Sequence, residues 1–195
     1  MGLTALIGAG IATRVGADDL SAEMILNDPD APIGGNPNGD LNIVSFFDYN
    51  CPFCKRTVDP LSAVLASDGN IRHIYKDWPI LAQSSVYGAK LALAAKYQNR
   101  YEDAYRALMG IEGSRIPEDR MRQALQAAGF DMAQLEADAN EYDADITTLL
   151  QRNNAQAEGL GLRGTPVFLV GQFLVASALD EAGFRQVVKD ARDAA

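Results

Sequence analysis

Ile43-Val44-Ser45-Phe46-Phe47-Asp48-Tyr49-Asn50-Cys51-Pro52-Phe53-Cys54 is the stretch on which the reading of this chain turns. Residues 43–47 have the length and the β-branched, aromatic character of a buried strand. They run directly into a C-x-x-C pair, and Pro52 suits the first turn of a helix, where a missing N–H costs nothing. Cys51 is then the N-cap. Its sulfur is expected to face solvent and the unsatisfied N–H groups of the first turn, where the positive end of the helix stabilises a thiolate. Cys54, one turn on, is the shielded resolving thiol. A sulfur stabilised in this way is both nucleophile and leaving group, so the arrangement points to redox chemistry.

These are the chain's two cysteines. A C-x-x-C also supplies half of many zinc sites, but a four-ligand site needs partners. The sequence offers no third cysteine and a single histidine, His73, inside the alternating run Ile71-Arg72-His73-Ile74-Tyr75. No metal site and no cofactor are therefore expected. A reading from a different class is a Cu(I)-binding thiol chaperone that carries metal on Cys51 and Cys54 without turnover.

Outward from the motif, Val58, Leu61, Val64 and Leu65 have helical spacing, with Pro60 expected to kink or end part of the helix. Ile71 to Lys76 reads as a second strand, which makes a βαβ unit with parallel strands. From 84 to 159 the pattern is helical throughout, with about four helices expected, Pro117 in a first turn, Gly129 as a C-terminal cap and Asp131 as an N-cap. Val167-Phe168-Leu169-Val170 and Phe173-Leu174-Val175 flank Gly171-Gln172 as a tight hairpin, and Leu179, Phe184, Val187 and Val188 line one face of a closing helix. The tyrosines at 87, 97, 101 and 105 are expected in the core or on helix faces.

The fold class is therefore α/β, with a core of β-α-β and β-β-α order and an all-helical insertion. Its expected divisions are 1–40 as N-terminal segment and linker, 41–83 and 160–195 as core, and 84–159 as the insertion. Residues 27–40 are rich in Asn, Asp, Pro and Gly and read as a turn-rich linker, so the fold proper is expected from about Leu41. Leu3 to Ala12 are small and apolar, and Val15-Gly16-Ala17 resembles a signal cleavage site, although a basic start is missing. The first residues read equally as a remnant of an export signal or membrane anchor and as an ordinary N-terminal helix, and residues 1–26 as an oligomerisation helix, an anchor remnant or a strap on the core. At 195 residues and 48% hydrophobic content the chain buries one substantial core. Its net charge of −9 argues against nucleic acid as a partner, which needs clustered Lys and Arg.

The second motif is Arg163-Gly164-Thr165-Pro166, a proline immediately before an apolar strand. Position alone is compatible with a strand-edge proline. Together with 46–54, however, Gly164-Thr165-Pro166-Val167-Phe168 resembles the DsbA-like family of thiol-disulfide oxidoreductases, from about Leu41 to the C-terminus. The resemblance implies a thioredoxin-like core, a cis Pro166 beside the cysteines, and Thr165 binding substrate through its main chain. It also implies an exported protein acting on cysteine-containing clients, with a membrane or soluble thiol redox partner.

Two departures from the family bear on direction. Phe53 stands where the type species has histidine, so the Cys51 thiolate loses a polar or cationic neighbour. The expected disulfide is then a moderate oxidant, between thioredoxin at about −270 mV and DsbA at about −120 mV. Ser45 stands where relatives often have a buried Glu that manages the proton of the second thiol. Asp48 is then the nearest candidate, with a plain helix-entry contact as its other reading. Lys55 and Arg56 either add charge near Cys51 or are simply solvated, and Trp78-Pro79-Ile80-Leu81 reads as packing. An oligomeric isomerase or reductase is the alternative to a DsbA-like oxidase.

Overall fold

The computed structural model describes residues 20–195. The expectations for residues 1–17, and most of the expected oligomerisation helix, lie outside the described residues.

Strands β1 (Ile33–Gly35), β2 (Leu41–Phe47), β3 (Ile71–Asp77), β4 (Val167–Val170) and β5 (Phe173–Val175) form one sheet in the order β1-β3-β2-β4-β5. β2 and β3 run parallel; the other three pairings are antiparallel. β2 is central and buried on both faces, which is why it reads as a continuous apolar run. Ile43 packs with Leu61, Val64, Phe168 and Phe184 on the face covered by α3 (Val58–Asp68) and α9 (Glu181–Asp193). Val44 and Phe46 point the other way, toward Trp78, Ala157 and Ile25. Ala157 belongs to α8 (Asp143–Gly159) and Ile25 to α1 (Ala22–Asn27). The expected β-α-β and β-β-α halves are both present, with α2 (Pro52–Lys55) and α3 crossing between β2 and β3, and the turn Gly171-Gln172 joining β4 to β5.

The first strand corrects the linker reading. Ile33–Gly35 pairs antiparallel with β3, so the sheet begins before Leu41. Glycine hides the strand from propensity but serves the packing: a Cβ on Gly34 would stand 2.9 Å from the Tyr75 hydroxyl, and Gly35 has φ +66°. The preceding loop is fixed by charge. Asp28, 3% exposed, receives Arg152 at 2.6 and 2.8 Å and lies 3.4 Å from Lys76 Nζ. Burial alone would push the Asp28 carboxyl up, but Arg152 and Lys76 hold it low.

Between β3 and β4 the chain forms α4 (Gln83–Ala95), a 3-10 turn (Lys96–Gln98), α5 (Tyr101–Met109), α6 (Glu118–Ala127), α7 (Met132–Glu141) and α8. That is five α-helices, against the four expected. The boundary between α4 and α5 falls at Asn99 with φ 55°, and that between α7 and α8 at Tyr142, so neither carries the Gly or Pro that marks a break in sequence. Asp131 caps α7 by accepting the N–H groups of Ala133 and Gln134, as expected. Pro117 is the N-cap of α6 and not a residue of its first turn.

Candidate active site

β2 ends at Phe47, and a turn closed by the Cys51 N–H to the Asp48 carbonyl, 3.0 Å, sets up α2. Cys51 is the N-cap, with φ −82° and ψ 110°, and Pro52 occupies the first helical position. The Cys54 N–H donates to Cys51 Sγ at 3.3 Å. After one turn the helix breaks at Arg56 and Thr57, because Pro60 has no N–H to offer the Arg56 carbonyl. Thr57 Oγ1 donates to the Cys54 carbonyl at 2.7 Å and α3 then begins.

The Thr165-Pro166 peptide is cis, and the Thr165 carbonyl lies 3.3 Å from Cys51 Sγ. Cys51 is only 2% exposed. This corrects the expectation of a solvent-facing sulfur: the segment before β4 stands against it. Both cysteines are thiols here, in sharply different states. Cys51 is lowered to about 6, chiefly by the hydrogen bond from the Cys54 thiol, with Thr165 and the amides of Cys54 and Phe53 also favouring the thiolate against burial. Cys54 is pushed far up, first by burial and then by the Cys51 charge.

Phe53 is 53% exposed, with the Arg56 guanidinium 4.6 Å from its ring centre. It edges a groove of about 510 Å³ shared with Leu162, Arg163, Thr165, Pro166 and Leu174. Lys55 is not simply solvated. Its Nζ donates to the carbonyls of Ile111 and Gly113 at 2.6 and 3.0 Å, tying α2 to the helical block.

Asp48 is 1% exposed and fully engaged. Oδ1 accepts the Asn50 N–H and the Ser85 hydroxyl, each at 2.7 Å; Oδ2 accepts the N–H groups of Ile80 and Leu81 at 2.8 and 2.9 Å. Ser45, at the position of the missing acid, pairs instead with His73 Nε2 at 2.8 Å. Burial, and then Arg106, hold His73 down at about 3, so this pair is neutral.

Two residues near the cysteines escaped the sequence reading. Asn50 joins the motif to the helical block: its Nδ2 donates to the hydroxyls of Ser84 and Ser85, and its Oδ1 accepts the Ile116 N–H. Asp77, 1% exposed, accepts the hydroxyls of Tyr49 and Tyr101 at 2.9 and 2.7 Å. The available signal was an adjacent pair of opposite charges, Lys76-Asp77, closing the strand. Trp78 packs edge-on against Phe46 and donates to Asn154. Among the described residues no group of three or more His, Cys, Asp or Glu is placed to hold a metal ion.

A protein-family model described as Thioredoxin matches residues 27–190. A thioredoxin-like oxidoreductase from Silicibacter pomeroyi is 37% identical, the alignment covering 90% of this chain and 99% of that one at a TM-score of 0.83. The thiol-disulfide exchange protein alpha-DsbA2 from Wolbachia pipientis is 26% identical over 89% of this chain and 94% of its own, at 0.80. A periplasmic thioredoxin-like protein from Salmonella enterica serovar Typhimurium is 25% identical over 91% and 98%, at 0.74. Curated relatives include the Na(+)/H(+) antiporter NhaA 1 of a Mycobacterium species, 26% identical over 141 residues. The chain spans 23% of the length of that relative. No helix among the described residues is long and apolar enough to cross a membrane.

Proposed function

The chain belongs to the thioredoxin family, and on that premise we propose that it is a DsbA-like oxidase of moderate oxidising power, acting on cysteines of exported proteins. The observation that carries this reading is the asymmetry of the pair. Cys51 sits at a helix N-cap and ionises at about 6, while Cys54 is held as a thiol. A thiol near 6 lies between thioredoxin's, at about 7, and DsbA's, at about 3.5. Phe53 fits that intermediate value, since its ring adds no donor to the sulfur and turns into the groove.

In the forward direction a client thiolate attacks Cys51 Sγ of the disulfide. The bond to Cys54 breaks, its electron pair goes to Cys54, and Cys54 takes up a proton. The second client thiolate attacks the mixed disulfide and releases Cys51 as a thiolate. The client dithiol loses two electrons and the pair gains them. The disulfide form of a membrane or soluble thiol redox partner then takes the two electrons, becoming a dithiol as the Cys51-Cys54 disulfide re-forms.

Cys51 is the attacked sulfur and Cys54 the leaving one. Pro52 starts the helix that stabilises Cys51, Phe53 limits that stabilisation, and the Thr165 backbone beside cis Pro166 pairs with the client segment. Asp48 serves to hold the 80–81 loop and α4 against the motif, with no lone pair left for proton traffic. Export is supported by the periplasmic relative from Salmonella.

The test is the equilibrium of the Cys51-Cys54 pair with glutathione, together with client trapping by Cys54→Ser. A potential between about −270 and about −120 mV and a mixed disulfide through Cys51 are expected. A potential at or above that of DsbA removes the moderate-oxidant reading, and absence of any trapped client removes thiol exchange.

A further inference from the structure

Behind the cysteines, on the side of α5, lies a carboxylate that the exchange reaction as described does not use. Asp77 is held by two phenols, and among the described residues no cation forms an ion pair with it. Two neutral donors offset the burial of a carboxylate only partly. Burial accordingly pushes Asp77 up to about 7.

Tyr105 links the two sites, packing on Tyr49, which holds this carboxylate, and lying within electrostatic reach of Cys54. Its ring packs 5.1 Å from Phe47 and 5.0 Å from Tyr75, centre to centre, and 6.3 Å from Tyr49. Its phenol is raised first by burial and then by its proximity to Cys54 and Asp77, so it lies within reach of both. Cys51, Cys54 and these tyrosines belong to one buried cluster.

The geometry points to Asp77 as a positioning residue of the redox pair, whose negative charge acts across the dry cluster to disfavour the thiolate-bearing reduced state and so weakens the disulfide as an oxidant. This rests on the thiol-exchange reading. Reduction adds two electrons to the disulfide; Cys54 takes a proton and Cys51 remains a thiolate, so the reduced site carries one negative charge that the oxidised site lacks. A second buried charge nearby repels it through a medium of low dielectric. Protonation of Asp77 removes the repulsion.

The groups that face Asp77 are Asp48 and Tyr49 after β2, Tyr101 and Tyr105 on α5 and Asn153 on α8; Cys54, Glu102 and Arg106 face Tyr105, which packs on Tyr75, and His73 lies against Tyr75. The four tyrosines are raised and stay neutral; His73 is depressed and stays uncharged.

The experiment is the glutathione equilibrium of the full chain and of Asp77→Asn, at about pH 6 and about pH 8, either side of the Asp77 titration. At the higher pH the reduced form of Asp77→Asn is expected to be favoured about threefold or more over the wild type, and at the lower pH the two should converge. The same ratio at both values marks a merely structural effect and overturns the proposal, as does no difference at either. Should Asp77→Asn fail to fold, Tyr101→Phe removes one donor to the carboxylate and should move the pH break of the equilibrium upward. An unmoved break overturns the proposal. A wild type that does not exchange with glutathione at all sinks the thiol-exchange reading instead.

Discussion

Cys51 Sγ lies 3.3 Å from the carbonyl oxygen of Thr165, a residue 114 positions further along the chain. A thiol can donate to that carbonyl; a thiolate cannot, and is repelled by it. What favours the thiolate from the same residue is the Thr165 hydroxyl, which is buried and makes no hydrogen bond of ordinary geometry. Thr165 thus presents an acceptor and an unspent donor to one sulfur.

Thr165→Val keeps the shape and removes that donor. The Cys51 thiol should rise above about 6, with a correspondingly weaker oxidant as the product. Ultraviolet titration of thiolate absorbance in the reduced protein reads the change; an unshifted midpoint would assign the hydroxyl no part in stabilising the sulfur.

Phe53→His places an imidazole at the mouth of the site. The Cys51 thiol is expected to fall by about one pH unit or more, and each unit corresponds to about tenfold in the thiol equilibrium. Glutathione equilibrium should shift toward the reduced protein, and a shift in the opposite direction contradicts the role given to Phe53.

The depressed Cys51 also makes the stability of the reduced protein depend on pH. Its folded value of about 6 lies below the ordinary thiol value of 9.0, so the stabilisation is fully present above the unfolded value and is lost as pH falls through the folded one. Between about pH 9 and about pH 6 the reduced form should lose on the order of a few kcal/mol relative to the disulfide form. Urea unfolding of both forms across that range measures it, and parallel curves would contradict the depressed thiol.

Asp28→Asn leaves Lys76 and Arg152 without their shared anion. Removing one partner from a buried ion cluster typically costs about 3 kcal/mol or more. The midpoint of urea unfolding should drop accordingly, whereas a loss under about 1 kcal/mol would place the loop before β1 outside the cooperative unit.

Much of the core was legible because the sequence is locally consistent. The apolar 43–47 run, the proline after Cys51, the hairpin at Gly171-Gln172 and the cap at Asp131 each carry their own signal, and each lies where that signal places it. β1 was illegible for the opposite reason. Gly34 is selected by a close approach to Tyr75 from another element, and no local propensity records that contact. The site divides in the same way. Cys51, Pro52 and Cys54 are set by the start of one helix, whereas the cover over Cys51, the closed hydrogen-bond set of Asp48 and the two phenols on Asp77 come from residues distant in sequence. Burial of Cys51 follows from those contacts, and an isolated motif has no means of announcing it.

Lys76 and Asp77 are neighbours on β3, yet one reaches the anion Asp28 and the other is gripped by phenols on the opposite face. A slip of β3 by a single residue would exchange the two faces. It would bring Asp77 toward Asp28, carboxylate against carboxylate, and deliver an ammonium group to a cluster of tyrosines and thiols. The strand therefore carries its own proofreading: adjacent charges of opposite sign make the nearest misfolded alignment repulsive at one face and ill-matched at the other.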